Sequence, residues 1–77
     1  MSIKVRYFAN LKETVGRSDD ELQTSGPLTA RNIWRQLNPD QAISETMLAA
    51  INMEYVNLDA EVRDGDELAF FPPVTGG

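Results

Sequence analysis

The 77-residue sequence contains neither cysteine nor histidine. A disulfide framework is therefore excluded, and so are the zinc sites that are built on Cys and His ligands. The Ser-His-Asp and Cys-His nucleophile systems are excluded as well, and neither common type of glycine-rich phosphate loop occurs. Catalysis by this chain would have to use carboxylates, lysine or tyrosine, and no cluster of these stands out. We expect no metal, no bound cofactor and no enzymatic activity of the chain on its own.

Long apolar runs are also lacking. None approaches the ~20 residues that a membrane helix needs, so we expect no contact with a membrane. The sequence begins directly with a strand-like pattern rather than a signal peptide, and the lack of cysteine gives no indication of export. We therefore expect a cytoplasmic protein. Hydrophobic residues make up 42% of the chain, which is enough for one small core in a single domain over residues 1–77.

The charge is unevenly distributed along the chain, whose formal net charge is −5. Residues 1–17 hold four basic side chains and one acid, a net charge of +3. Residues 40–77 hold eight acids and one arginine, a net charge of −7. This acidic half argues against binding to nucleic acid or to an anionic membrane. It fits docking onto a basic partner surface, or else a solvated face that keeps a small protein soluble.

The first half of the sequence predicts two strands and then a helix. Strict alternation over residues 2–8 is typical of a half-buried strand, and a helical turn over 9–15 follows it. A short strand is assigned to 21–24. Thr29 is a suitable N-cap for a helix over 30–37. Within that helix the apolar residues form one stripe, which favours a core role over a binding role for its tryptophan; they are Ala30, Ile33, Trp34 and Leu37.

The second half predicts two or three further strands. Residues 47–51 are apolar throughout, which indicates a central strand covered on both faces, and 55–58 follow after a tight turn. A glycine-containing turn precedes the last strand, 67–71. Its alternation places Leu68 and Phe70 in the core, with Ala69 and a partly exposed Phe71 on the other face. The pattern predicts an α+β fold with one main helix packed across one face of a mixed sheet. It is a ubiquitin-like β-grasp if the first and last strands are neighbours.

The sequence ends on Pro72-Pro73-Val74-Thr75-Gly76-Gly77. Two prolines must end the strand before them, and they favour a stiff, extended exit from the fold. Glycine adds backbone freedom and no side chain, which suits a terminus that passes through a channel too narrow for a Cβ. We therefore predict a projecting tail over 72–77 whose working group is the carboxylate of Gly77.

The C-terminal stretch contains Asp64-Gly65-Asp66 followed by Phe70-Phe71-Pro72-Pro73-Val74-Thr75-Gly76-Gly77. This stretch resembles the end of the molybdopterin synthase small subunits, a family of ubiquitin-like sulfur carriers with a β-grasp fold. The start of the chain, Ile3-Lys4-Val5-Arg6-Tyr7-Phe8-Ala9 followed by Leu11-Lys12-Glu13, is similar to the family's first strand and turn. The resemblance is weakest over 17–23 and 38–46. Met53 stands where relatives often have glycine, which leaves the type of turn at Asn52-Met53 open.

The resemblance implies a chemistry for the tail. An adenylyltransferase related to the ubiquitin-activating enzymes would adenylate Gly77 with ATP, and a sulfur-transfer protein would convert the acyl-adenylate to a thiocarboxylate. The tail would then donate sulfur to cyclic pyranopterin monophosphate inside the large synthase subunit, in a heterotetramer of large and small subunits. This fits the composition, because a carrier without cysteine can hold sulfur only on a carbonyl carbon.

Particular residues are expected to meet the partner. Val74, Thr75, Gly76 and Gly77 would enter its active site. The predicted interface consists of four further residues, Tyr55, Phe71, Pro72 and Pro73. For the two aromatic residues, ordinary packing on the sheet is the alternative.

Other functions fit the same tail. The chain could be a protein modifier that is joined to lysines of targets through Gly77, or a sulfur carrier of the thiamine or tRNA-thiolation pathway. It could also be a plain interaction module, in which the Gly-Gly end is only a frayed terminus.

Overall fold

The structure is a computed structural model that describes residues 2–73. The predictions for Val74, Thr75, Gly76 and Gly77 lie outside the described residues. No helix within the described range is long and apolar enough to cross a membrane. The described elements, in chain order, are β1 (Ser2–Tyr7), α1 (Leu11–Val15), β2 (Asp19–Gln23), β3 (Leu28–Thr29), α2 (Ala30–Leu37), β4 (Leu48–Ile51), β5 (Glu54–Val56), β6 (Glu61–Val62) and β7 (Glu67–Phe71).

Five of the strands form one mixed sheet in the order β2-β1-β7-β4-β5. The first and last strands pair in parallel, with Val5 opposite Leu68, whereas the other neighbours are antiparallel. Strands β3 and β6 form a separate two-stranded sheet. The predicted α+β arrangement, with the first strand beside the last, is confirmed.

Helix α2 begins at the predicted cap. The Thr29 side-chain oxygen accepts a hydrogen bond from the Asn32 N–H at 3.1 Å, which satisfies one of the free donors of the first turn. The apolar stripe faces the sheet, and Trp34 is 1% exposed. Its indole ring is nearly perpendicular to the rings of Tyr7 and Phe70, with centroid distances of 5.9 and 5.1 Å. The prediction that Trp34 belongs to the core is confirmed.

The core lies between α2 and one face of the sheet. Leu68 and Phe70 are fully buried there, as the alternation of β7 predicts, and Ala69 lies on the opposite face of the sheet. The other strands contribute in the same alternating way, so that the sheet side of the core consists mainly of Ile3, Val5, Tyr7, Ala49, Leu68 and Phe70.

A part-buried polar network fastens the end of α2 to the sheet. The Tyr7 hydroxyl donates to an Asp20 carboxylate oxygen and accepts from the Asn38 side-chain amide, both at 3.0 Å. Arg17 donates to Asp20 at 2.7 Å and to the Asn38 amide oxygen at 2.6 Å. Burial raises the pKa of the Tyr7 phenol, so this hydroxyl keeps its proton and its role as a donor.

Two predicted strand positions need correction. Strand β2 covers Asp19–Gln23 instead of 21–24, since its register with β1 pairs Asp19 with Arg6. Strand β5 covers Glu54–Val56 instead of 55–58, because the Leu58 carbonyl accepts a hydrogen bond from Arg31 at the start of α2. Strand β4 is an interior strand whose middle residues are buried on both faces, as predicted, and it lies beside the central strand β7.

Candidate functional site

The face of the sheet that points away from α2 carries a group of apolar side chains around two alanines. Because Ala50 pairs with both Tyr55 and Ala69, these three residues share this face. The small alanine side chains leave a shallow depression of about 410 Å³ between larger neighbours. We call its apolar lining the apolar patch, and it consists of Phe8, Ala50, Met53, Tyr55, Ala69 and Phe71.

Aromatic rings dominate the apolar patch. Phe71 stacks on Phe8, with a centroid distance of 4.8 Å and an interplanar angle of 9°. Tyr55 meets Phe71 at 5.8 Å with its ring tilted by 57°. Tyr55 is 71% exposed and Phe8 37%, whereas Phe71 is half-buried. Rigid aromatic side chains that hold each other in place and still face solvent are typical of the anchors of protein interfaces.

The structure therefore brings together the two aromatic residues predicted for the interface, Phe71 and Tyr55. Sequence reasoning missed Phe8 and Met53. Phe8 continues the alternation of β1 on the side of Lys4 and Arg6, so period two alone was a sufficient signal. Met53 lies in the tight turn that the sequence predicted, and turn residues usually face solvent, so its exposure also had a signal.

Charged side chains border the apolar patch on one side. The Arg6 guanidinium lies 5.8 Å from the centroid of the Phe8 ring and 3.9 Å from a Glu67 carboxylate oxygen. Both side chains of this ion pair are about half exposed, so it adds little stability but gives the patch a polar rim. Within residues 2–73, no group of three or more His, Cys, Asp or Glu side chains is placed to hold a metal ion.

The turn between β4 and β5 presents Met53 at the end of the apolar patch. Asn52 and Met53 have φ values of 49° and 72°, the left-handed pair of a type I′ turn, which settles the turn type. The Asn52 side chain accepts from the Glu67 N–H at 3.0 Å and donates to Asp66 at 2.9 Å. The turn is thus fixed to the start of β7.

The root of the predicted tail lies beside the apolar patch. The Phe8 N–H donates to the Phe70 carbonyl at 3.1 Å and extends the contact between β1 and β7 to the end of the sheet. Pro72 and Pro73 follow Phe71 outside the strand, and both are half-buried. Anything that binds the apolar patch would therefore meet the start of the tail as well. An interface role for the two prolines stays a prediction.

The mixed sheet with parallel first and last strands, the single long helix on one face and the open apolar face together define a ubiquitin-like β-grasp protein. SAMP1 from Haloferax volcanii, a small archaeal modifier protein, has this fold; its crystal structure matches with a TM-score of 0.79 and 27% identity, covering 100% of both chains. The ThiS family model matches residues 5–77, and this chain belongs to the ThiS family.

One further relative bears on function, and one further solved structure shows the same fold. The molybdopterin synthase sulfur carrier subunit of Escherichia coli K12 is 40% identical over 97% of this chain and 99% of its own length. A protein–protein complex of subunits 1 and 2 of the molybdopterin-converting factor from Helicobacter pylori contains a chain of the same fold. That chain has a TM-score of 0.64 at 22% identity and full coverage of both chains.

Proposed function

We propose that this chain is the sulfur carrier subunit of molybdopterin synthase, which carries sulfur on its terminal glycine and donates it to cyclic pyranopterin monophosphate in molybdenum cofactor biosynthesis. The observation that supports this most strongly is the 40% identity, over nearly the full length of both chains, to the Escherichia coli protein of that name. The match to the ThiS family model extends to residue 77, so it includes the end of the chain.

The proposed chemistry needs only the carboxylate of Gly77 from this chain. A carboxylate is a poor electrophile, so an adenylyltransferase first joins it to the AMP moiety of ATP and releases pyrophosphate. The terminal sulfur of a persulfide on a sulfur-transfer protein then attacks the acyl carbon, and AMP leaves. A thiol cleaves the S–S bond of the resulting acyl disulfide, which leaves the thiocarboxylate on Gly77 and a disulfide between the thiol and the sulfur-transfer protein. The chain is a non-catalytic donor subunit in this scheme and binds no cofactor of its own. The scheme places it in the cytoplasm, with the ATP and the activating enzyme that it needs.

The apolar patch is the surface we assign to the large synthase subunit. Residues 72–77 would project from a single domain beside this patch, and six extended residues reach roughly 20 Å, which is enough to enter a neighbouring active site. Val74, Thr75 and Gly76 would line the entry path. The two prolines would reduce the ordering cost of insertion by stiffening the root of the tail. Tyr55 and Phe71 would be the anchors in the resulting heterotetramer.

Replacing Phe71 by alanine is expected to weaken binding to the large subunit by about 1–3 kcal/mol, because the anchor ring and its stacking on Phe8 are lost together. The measurement is the Kd from titration calorimetry, with Tm recorded for each variant. Arg35→Ala, at an exposed position on α2, is the matched control and should bind like the wild type. A lower Tm with an unchanged Kd would show that Phe71 serves packing only.

The proposed function is tested by the intact mass of the chain, recovered without a C-terminal tag from cytosol that contains its own partners. The expected result is a mass gain equal to the replacement of one oxygen by sulfur. A mass that stays unmodified after incubation with ATP, the activating enzyme and a sulfur source would contradict the proposal and favour a plain interaction module.

The alternative of a protein modifier draws support from the likeness to the archaeal modifier SAMP1. A modifier would form isopeptide bonds between Gly77 and lysines of other proteins. Digestion of cell extracts followed by mass spectrometry would detect such adducts on target peptides. Their recovery, without transfer of sulfur to the pterin, would favour this second function.

A further inference from the structure

The backbone of Met53 has a left-handed conformation, which is unfavourable for residues other than glycine. Its φ of 72° lies in the left-handed region, where the Cβ of an L-residue crowds the following carbonyl oxygen. The second central position of a type I′ turn is accordingly dominated by glycine and asparagine. Glycine tolerates this conformation because it has no Cβ, and asparagine because its side chain forms local hydrogen bonds. Methionine has neither property. The turn cannot relax freely, because Asn52 is bonded to Asp66 and to the backbone of Glu67.

The Met53 side chain is also hardly buried by the rest of the fold. It is 91% exposed, more than any other large hydrophobic residue in the described part of the chain. An isolated exposed methionine would need no explanation, but this one belongs to the apolar patch and has a strained backbone. Strained residues tend to occur where a binding site uses their geometry. The strained backbone and the exposed apolar side chain of Met53 occur together at the apolar patch, which points to a contact with another protein.

We propose that Met53 is a binding contact, whose thioether side chain enters an apolar pocket on the large synthase subunit when the apolar patch docks. This inference rests on the proposed function and extends the predicted interface to a residue at its end. The unbranched, polarizable side chain of methionine adapts to irregular apolar pockets. The hydrogen bonds of Asn52 already fix the backbone of the turn, so less backbone freedom is lost on docking.

The test compares two glycine substitutions at strained positions. Ala9 has a φ of 54°, is exposed and follows Phe8 at another end of the apolar patch. Met53→Gly and Ala9→Gly both relieve left-handed strain, but only the first removes a large apolar side chain. For both variants we expect Tm to stay the same or to rise by up to about 4–8 °C. For Met53→Gly we expect the Kd for the large subunit to rise about tenfold. Ala9→Gly should bind like the wild type.

Two further variants separate the side chain from the backbone. Met53→Asn keeps a residue that tolerates the left-handed region but lacks the apolar side chain, so it should lose as much affinity as Met53→Gly. Met53→Leu retains apolar volume on the strained backbone and should retain most of the affinity. Loss of binding in Met53→Gly alone, with Met53→Asn like the wild type, would trace the effect to a loosened turn and overturn the proposal.

The remaining outcomes distinguish this inference from the function on which it rests. Equal Kd values for the wild type and Met53→Gly would overturn the role of Met53 and leave the sulfur carrier function intact. Equal losses in Met53→Gly and Ala9→Gly would also overturn it, because the change common to both is in the backbone. Failure of the wild-type chain to bind the large subunit would overturn both the proposed function and the role of Met53.

Discussion

Deleting Gly77 is expected to abolish formation of the thiocarboxylate while leaving the free energy of unfolding unchanged. The truncated chain still ends in a glycine carboxylate, that of Gly76, but the carboxylate is displaced by roughly 3.3–3.6 Å along the tail. Misplacement of reacting groups by even about 1 Å can lower a rate about 10²-fold. Stability should not change, because the last described strand ends at Phe71 and the two prolines cannot extend it.

The measurement is the intact mass after incubation with ATP, the activating enzyme and a sulfur donor, together with a urea unfolding curve. A chain extended by one alanine should fail in the same way, since its terminal carboxylate is displaced in the opposite direction. Gly26→Ala is the matched control, because a Cβ at Gly26 meets no other atom within 4 Å. Sulfur incorporation at the wild-type level in the truncated chain would contradict the assignment of Gly77.

Replacing Trp34 by alanine is expected to lower the free energy of unfolding by ~3–5 kcal/mol. The side chain is almost completely buried, and its ring is nearly perpendicular to those of Tyr7 and Phe70. Its indole N–H also donates to the Gln41 carbonyl at 2.8 Å, so the substitution leaves a cavity and removes a hydrogen bond. Domains of this kind have only ~0.05–0.15 kcal/mol of stability per residue, so the variant should lose a large fraction of its stability.

Trp34→Phe is the informative companion to this variant. It retains most of the ring contacts but loses the hydrogen bond to Gln41, and we expect a loss of about 1–2 kcal/mol. Chemical unfolding followed by circular dichroism gives both values on one scale. A change below 1 kcal/mol in Trp34→Ala would contradict its position in the core.

The sequence predicted those parts of the fold whose cause is local. The alternation of β1 and β7 identified the buried faces, and Thr29 marked the start of α2 because its cap bond reaches only three residues. The pairing of β3 with β6 was not predicted. Each of these strands has two residues, too few for a periodic signal, and they are brought together by the remainder of the fold.

The candidate site was also predicted in part, namely where a local sequence signal existed. Phe71 and Tyr55 are recognisable as an aromatic pair on an open face, and the structure places their rings in contact. The alternation of β1 is enough to place Phe8 on this face, and the register between β1 and β7 then sets its ring beside Phe71. The left-handed φ angles of Asn52 and Met53 depend on the type of turn, which the sequence pattern left open.

Because β7 is both the central strand and the last to be synthesised, the sheet can form only when the chain is nearly complete. The β1–β2 and β4–β5 hairpins pair with each other only through this last strand, so a chain that stops before it holds two disconnected hairpins. Such hairpins are marginally stable in water, and proteases act readily on unfolded chains. Since the proposed tail continues directly from β7, a nascent chain cannot close its core before the root of the tail has been made. Prematurely terminated chains would thus be degraded, and would not occupy the partner's surface as inert competitors.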